Sequence, residues 1–297
     1  MTTTTTHPTT TAPGVEPTTT RRRPVRPWGT RLLRYVLLTL LAVTIVYPLV
    51  WMATASLRSN SAALADPFGF GGRWSLDNYA FLITDGRLLT WVGNSVLVNV
   101  ISVALIAGLS AVAAYGFSTF EFRGKQVWFG LLIVGLMVPP QALVIAGYRW
   151  IELFNIQDTY LALIVTYCGW TPFGILVMRN FFDSVPKELR EAAVMDGASH
   201  VRIFLQVLLP LARPSLLTVV IFNVIWVWND FIYPLVYMQS PDRYTVPVGV
   251  LQFAGRSTSQ IAVQMAVLAV ATALPLLVYL VFRKQFVRGV LEGAVKG

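Results

Sequence analysis

Seven residues in one polar stretch, Glu191, Ala192, Ala193, Asp196, Gly197, Leu209 and Pro210, have types and spacing suited to gripping another protein. The chemistry they offer is non-covalent. Glu191 supplies a carboxylate for a charge-assisted hydrogen bond to a basic partner. Leu189, Ala192, Ala193 and Asp196 fall at i, i+3, i+4 and i+7, giving a narrow face of small side chains that another surface can approach closely. Gly197 stands where a helix takes a left-handed residue in order to stop.

A second set lies inside apolar runs. Asn94, Asn99, Asn223 and Gln264 are polar at membrane depth. They would line a pathway for a polar solute or, equally, bond one helix to another at about 0.6–2 kcal/mol each. Asp230 is the exceptional ionisable group within these runs, read either as an interfacial acid or as a proton relay.

These residues need elements to hold them. Pro186 suits a first helical turn, where its missing N–H costs nothing. Ser199 can cap a second short helix carrying Val201, Phe204, Leu205 and Leu208 on one stripe, and Pro210 and Pro214 close the unit. The product is a helix–turn–helix bracket over 186–214. The bland reading of the same stretch is an amphipathic connector lying on the membrane face.

The rest of the chain is a membrane protein by composition. Of 297 residues, 55% are hydrophobic and 12% charged, about half the usual charged share. The expected fold class is an all-α membrane protein with six transmembrane helices, at roughly Leu32–Ala55, Leu88–Phe117, Val127–Tyr148, Tyr160–Met178, Ser215–Tyr237 and Ile261–Phe282. Residues 1–30 read as a disordered Thr/Pro/Arg-rich cytoplasmic tail, too poor in large apolar side chains to offset ordering entropy. Residues 31–297 form the transmembrane domain.

Pro139-Pro140 must break its span, through a packed kink or for translocation. Residues 56–87 and 239–260 read as external loops, and 289–297 as a small-residue tail. Six spans put both termini on one side. Seventeen of the 23 basic residues then lie on the bracket's side, which predicts a multi-pass protein of the cell membrane with cytoplasmic termini and a cytoplasmic bracket.

The bracket resembles the coupling (EAA) loop of ATP-binding-cassette importer permeases, here over 184–210. That pattern is Glu-Ala-Ala, three residues, Gly, nine residues, Ile, any residue, Leu-Pro. The chain reads Glu191-Ala192-Ala193, Gly197, Val207, Leu209-Pro210, with Val in place of Ile. The similarity runs from about residue 30 to the end. Asn94-Ser95, Ala114-Tyr115, Pro139-Pro140, Trp228-Asn229-Asp230, Thr245-Val246-Pro247 and the terminal Gly-Ala-Val-Lys-Gly resemble the second permease of maltose-type importers. The Thr-rich N-terminus has no counterpart there. The resemblance implies four kinds of partner: a second permease, a dimer of ATPase subunits, an extracytoplasmic sugar-binding protein and the lipid membrane. It also implies a carbohydrate as solute, with another small polar solute as the alternative.

Other classes lack their signatures. A nucleotide-binding loop needs G-x-x-x-x-G-K-[ST]; Gly124-Lys125 is followed by Gln126, and Thr119 holds the first Gly position. ATP and Mg²⁺ are therefore expected on partner subunits only, and this chain is expected to be neither an enzyme nor a cofactor carrier. There is no Gly-x-Ser-x-Gly elbow. His7 and His200 are far apart, so no metal is expected. A lone cysteine, Cys168, makes no disulfide. The charge of +9 is not interleaved with stacking aromatics, which argues against nucleic acid. A secondary transporter would show more ionisable groups inside its spans than this chain has.

Overall fold

The computed structural model describes residues 28–66, 69–256 and 260–294. The Thr/Pro tail through residue 27 and the last three residues lie outside that range. The backbone divides into two compact units, residues 1–48 and 49–297. Among the described residues, all regular structure is helical apart from one isolated bridge between Arg58 and Trp74.

In the first unit, α1 (Trp28–Ser56) begins as a helix whose apolar side chains from Leu32 to Tyr47 are exposed on every side. A helix apolar all round suits hydrocarbon rather than water. It runs on into the second unit.

The second unit holds α2 (Asn60–Ala65), α3 (Asp77–Asp85), α4 (Arg87–Thr119), α5 (Lys125–Met137), α6 (Val144–Leu153), α7 (Tyr160–Cys168), α8 (Thr171–Ser184), α9 (Lys187–Met195), α10 (His200–Arg202), α11 (Leu209–Leu211), α12 (Arg213–Asn229), α13 (Ile232–Tyr237), α14 (Val246–Arg256) and α15 (Ile261–Ala294). Three helices are long and apolar enough to cross a membrane, with segments Leu32–Ser56, Arg87–Thr119 and Ile261–Arg283. Counting three bent pairs as one crossing each gives up to six.

The central helix is α4, which packs along α7, α8 and α12. Its buried face alternates larger residues (Val98, Val103, Ile106) with small ones (Ser102, Ala107, Ser110, Ala111, Ala114). Small residues let helix backbones approach, which is what drives association where lipid is as apolar as protein. The tightest point is Gly174 on α8. A methyl group there would lie 2.3 Å from Ser110 Oγ on α4 and 3.0 Å from a Val219 methyl on α12.

Three expected spans are broken rather than continuous. The Val127–Tyr148 run is α5, a 3₁₀ turn at Pro140–Leu143 and α6, with the two arms 97° apart. Two successive prolines remove two donors, so this is a right-angle break and not a kink. The Tyr160–Met178 run is α7 and α8, bent 40° where Pro172 opens α8. The Ser215–Tyr237 run starts at Arg213 after a 75° bend from the bracket, and ends as two helices split at Asp230.

The expected outer loops also carry structure. The 56–87 stretch folds as α2 and α3, organised by the buried Arg58, whose guanidinium donates to the carbonyls of Ala62, Asp66 and Gly69. The 239–260 stretch carries α14, with Gly249 against the Trp91 ring, where a Cβ would sit 2.1 Å away. The small-residue tail from residue 289 is helical through Ala294, because extending an existing helix adds a hydrogen bond per residue fixed.

Candidate functional site

The bracket is built from short-range signals. Pro186 is the residue before α9 rather than within its first turn, with φ −53° and ψ 136°. The helix ends by two bonds: Gly197 N–H donates to the Val194 carbonyl (2.9 Å) and Ala198 N–H to the Ala193 carbonyl (3.0 Å). Gly197 has φ +76°, a conformation that only glycine enters without cost. Ser199 Oγ then accepts from Arg202 N–H (3.4 Å) and starts α10.

From Ile203 to Leu208 the helix widens into a π turn before α11. Pro210 explains the loosening: it has no N–H to donate, and its ring presses on the Gln206 carbonyl one turn back. The wider turn changes which side chains face inward. Of the expected stripe of Val201, Phe204, Leu205 and Leu208, only Phe204 and Leu208 pack inward. Ile203 and Leu208, five residues apart, are buried with Ala212, while Val201 and Leu205 are exposed. Leu209 packs partly against the same cluster and Pro210 is half-buried.

The orientation of α9 is the functional point. Ala193 and Arg190 turn toward the body of the chain, whereas Leu189, Glu191, Ala192 and Asp196 face away from it. Val194 and Met195 are also exposed, Met195 at 87%. Among the described residues, Leu189, Ala192 and Asp196 of the small face are therefore uncovered, while Ala193 packs on the chain's own core.

Two anchors were not legible as such in the sequence. Arg190 donates from Nη1 to Thr119 Oγ1 at the end of α4 and from Nη2 to the Phe182 carbonyl on α8, both at 3.4 Å. Tyr115 on α4 donates to the His200 carbonyl (3.3 Å), with its Oη 3.3 Å from His200 Nδ1, and its ring meets Phe120, Phe182 and Phe204. The signal for Arg190 was its i, i+3 relation to Ala193; nothing local marks Tyr115.

Three of the four amides bond to this chain's own backbone. Asn94 Nδ2 donates to the carbonyls of Asp242 (2.7 Å) and Tyr244 (3.0 Å), and its Oδ1 accepts from Tyr160 Oη (2.7 Å). Asn99 Nδ2 donates to the Val224 carbonyl at 2.9 Å. Asn223 is fully buried and donates to the Val219 carbonyl of its own helix at 2.8 Å. Gln264 is half-buried on α15.

None of these four lines the half-open cavity of the second unit, whose volume is about 950 Å³. The cavity gathers three breaks in the helices: Val138 and Pro140, Gly169 and Trp170, and Asp230. Around it stand Trp150, Trp170, Phe173, Trp226 and Tyr233. The groups freed by the breaks are met locally. The Pro140 carbonyl accepts from Tyr233 Oη (2.8 Å) and Asp230 Oδ2 from Tyr167 Oη (2.7 Å), while the N–H groups of Ile232 and Tyr233 turn toward the Asp230 carboxylate. Asp230 is thus a wall residue and the head of α13. Tyr237 closes one side, and a Cβ at Gly147 would lie 2.4 Å from its Oη.

A latch joins the α6–α7 loop to the loop after α13. Asp158, at φ 52°, accepts through Oδ1 from the N–H groups of Gln239 (2.9 Å) and Ser240 (3.1 Å) and through Oδ2 from Ser240 Oγ. The Arg243 guanidinium donates to the Asp158 backbone carbonyl and pairs with its carboxylate at 3.4 Å. Burial works to raise this carboxyl. The hydrogen bonds from Ser240 and Gln239 and the Arg243 charge outweigh it, holding Asp158 below the usual carboxylate range.

Comparison with known proteins places this architecture. The model of the family described as binding-protein-dependent transport system inner membrane component matches residues 106–292. The maltodextrin transport system permease protein of Bacillus subtilis is 33% identical over 266 residues, covering 89% of this chain and 95% of that one. The diacetylchitobiose uptake system permease protein of Streptomyces coelicolor is 31% identical over 265 residues, 88% of each chain. Among solved structures, a bacterial ABC transporter involved in import of the acidic polysaccharide alginate shares the fold, with a TM-score of 0.77 at 23% identity over 88% of this chain and 99% of that one.

Proposed function

The chain belongs to the family of binding-protein-dependent transport system inner membrane components, and from that premise we propose that it is one of two permeases forming the membrane pathway of a carbohydrate importer. The solute class rests on relatives named for maltodextrin and diacetylchitobiose. The second permease stands beside it, and an extracytoplasmic sugar-binding protein delivers the solute. ATP and Mg²⁺ are bound by a dimer of ATPase subunits, and this chain holds no cofactor of its own.

The observation that carries the coupling role is the bracket's outward face. Glu191, Ala192 and Asp196 are exposed on a helix fixed at its far end by Gly197 and rooted through Arg190. A socket on the ATPase would close on the small face and pair a basic side chain with Glu191. Closing of the ATPase dimer would then move the bracket as a body and rock the helices on either side. The orientation that goes with this is six crossings, a cytoplasmic bracket and cytoplasmic termini, supported by the basic residues at the bracket end.

The test is reconstitution of the complete assembly, with its cognate second permease, ATPases and binding protein, and ATP-dependent uptake across a sugar panel. Saturable uptake of one sugar is expected. Uptake of a non-sugar solute in place of every sugar would overturn the carbohydrate assignment. Single cysteines at Ser199 and Asp242, in a Cys168→Ser background, should label from opposite sides with an impermeant thiol reagent; labelling of both from outside would overturn the orientation.

A further inference from the structure

We propose that the aromatic cavity is a sugar-ring site selective for uncharged carbohydrate, a reading that rests on the carbohydrate assignment and narrows it. The argument starts from shape. About 950 Å³ lies within the range that small-molecule sites occupy. It is formed where three helix pairs are broken, the arrangement in which non-helical backbone is tolerated at membrane depth because it faces a cavity.

The lining chemistry then selects the ligand. Rings stand on more than one side, with Trp226 4.9 Å from Phe173 and Trp170 6.5 Å from Tyr233 between centroids. A pyranose ring offers C–H faces that lie flat on such rings and an equator of hydroxyls. A polar acceptor is present for those hydroxyls. The Asp230 carboxylate is already met by Tyr167 Oη and by the N–H groups of Phe231, Ile232 and Tyr233, about as many donors as it has lone-pair sites, so it offers the cavity an acidic wall rather than a free acceptor. Asn229 commits its Nδ2 to the Ile225 carbonyl at 2.8 Å, which leaves its Oδ1 as the acceptor.

Charge decides between classes of sugar. Asp230 is an acid, and among the described lining residues there is no Lys, Arg or His. A uronate carboxylate entering here would come beside the Asp230 carboxyl with no cation among the described lining residues to answer its charge. A neutral ring meets an acceptor and aromatic faces. The cavity therefore fits neutral oligosaccharides and disfavours acidic ones of the alginate type.

The experiment uses the reconstituted assembly with its transported neutral sugar and, as the acidic probe, a uronate oligomer of the same length. Trp226→Ala should raise the KM for neutral sugar about tenfold, and Trp226→Phe should restore most of it, since the ring and not the volume is what matters. Gln141→Arg sets a cation in an exposed wall position away from the packed core, and should make uptake of the uronate measurable where the wild type shows none. Assembly of the complex should be unchanged in all three. Wild-type uptake of the uronate at the neutral sugar's rate would overturn the proposal. So would an unchanged KM in Trp226→Ala, which would mean that lipid or the second permease fills the cavity. In either case the sugar panel still shows carbohydrate uptake, so the proposed function would survive. Failure of every sugar in wild type would remove both.

Discussion

Arg190 reaches Thr119 across 71 residues of chain, its Nη1 3.4 Å from the threonine Oγ1. With the second bond to the Phe182 carbonyl, one guanidinium ties the bracket to the ends of α4 and α8 together. Arg190→Ala should release α9 while leaving the α4–α8 packing intact. Losing such partly buried bonds costs about 1–2 kcal/mol, or roughly five- to thirtyfold faster hydrogen exchange over 187–195. Arg190→Lys should recover less than half of that, because an ammonium cannot span both acceptors as a planar fork does. Exchange unchanged in Arg190→Ala would show that packing alone holds the bracket.

Gly197 tests the turn. No atom lies within 4 Å of where its Cβ would be, so any loss on substitution is conformational rather than steric. Gly197→Val should cost about 1–3 kcal/mol of local strain and uncouple transport without preventing membrane insertion. Gly197→Asn should stay near wild type, since asparagine enters the left-handed region with less penalty. Equal behaviour of Val and Asn in binding-protein-stimulated ATP hydrolysis would contradict this.

Glu191 tests the partner contact. The residue is exposed in this chain, so its loss should leave the permease itself intact. Glu191→Ala keeps helix propensity, and Glu191→Lys adds like-charge repulsion in a basic socket. ATPase co-purification should rank wild type above Ala above Lys. Breaking a desolvated pair would cost about 2–5 kcal/mol, against about 0–1 for a rim pair. Full retention of the ATPase by Glu191→Lys at low salt would leave the small face as the whole contact.

Asp158 gives a pH dependence. Its carboxyl is held below the ordinary value of 3.8, so the native state favours the ionised form. The latch's contribution is therefore fully present above that ordinary value. It falls away as pH drops through the lower, folded one. Protection of the Gln239 and Ser240 amides, corrected for intrinsic exchange, should be flat from pH 7 to 5 and decline below 4. Asp158→Asn should remove that decline and lower protection throughout. An acid-induced loss that persists in Asp158→Asn would assign it to another group.

The sequence was informative where a feature is local. Gly197 and Ser199 could be placed because a helix end is decided within a few residues. The long apolar runs could be placed because hydrocarbon demands them. The double proline announced a break. Its size was another matter, because a 97° bend persists only if a distant group meets the freed carbonyl, here Tyr233 on Pro140. The split at Asp230 was hidden for the same reason. Asn94, Asn99 and Asn223 could be read either as pathway residues or as packing bonds, because composition does not say which side of a helix is covered. Their donors end on backbone carbonyls of this chain. Half of the bracket's inward face, Phe204 and Leu208, could be placed; Val201 and Leu205 were misassigned and Ile203 missed because a π turn shifts register by one residue, which no periodicity rule anticipates.

Gly174 sets where this molecule is able to deform. With Ser110 and Val219 both within 3.0 Å of the place where even a methyl would stand, α4, α8 and α12 meet there with no slack. Sliding one helix past another would drive atoms into overlap, so the seam behaves as a solid keel. Compliance is left to the joints: Pro139-Pro140, Gly169-Trp170, Asp230-Phe231 and the turn at Ala212. Three of those joints, at Pro140, Gly169-Trp170 and Asp230, stand in the cavity wall, so bending that the seam resists would be felt first in the shape of the cavity.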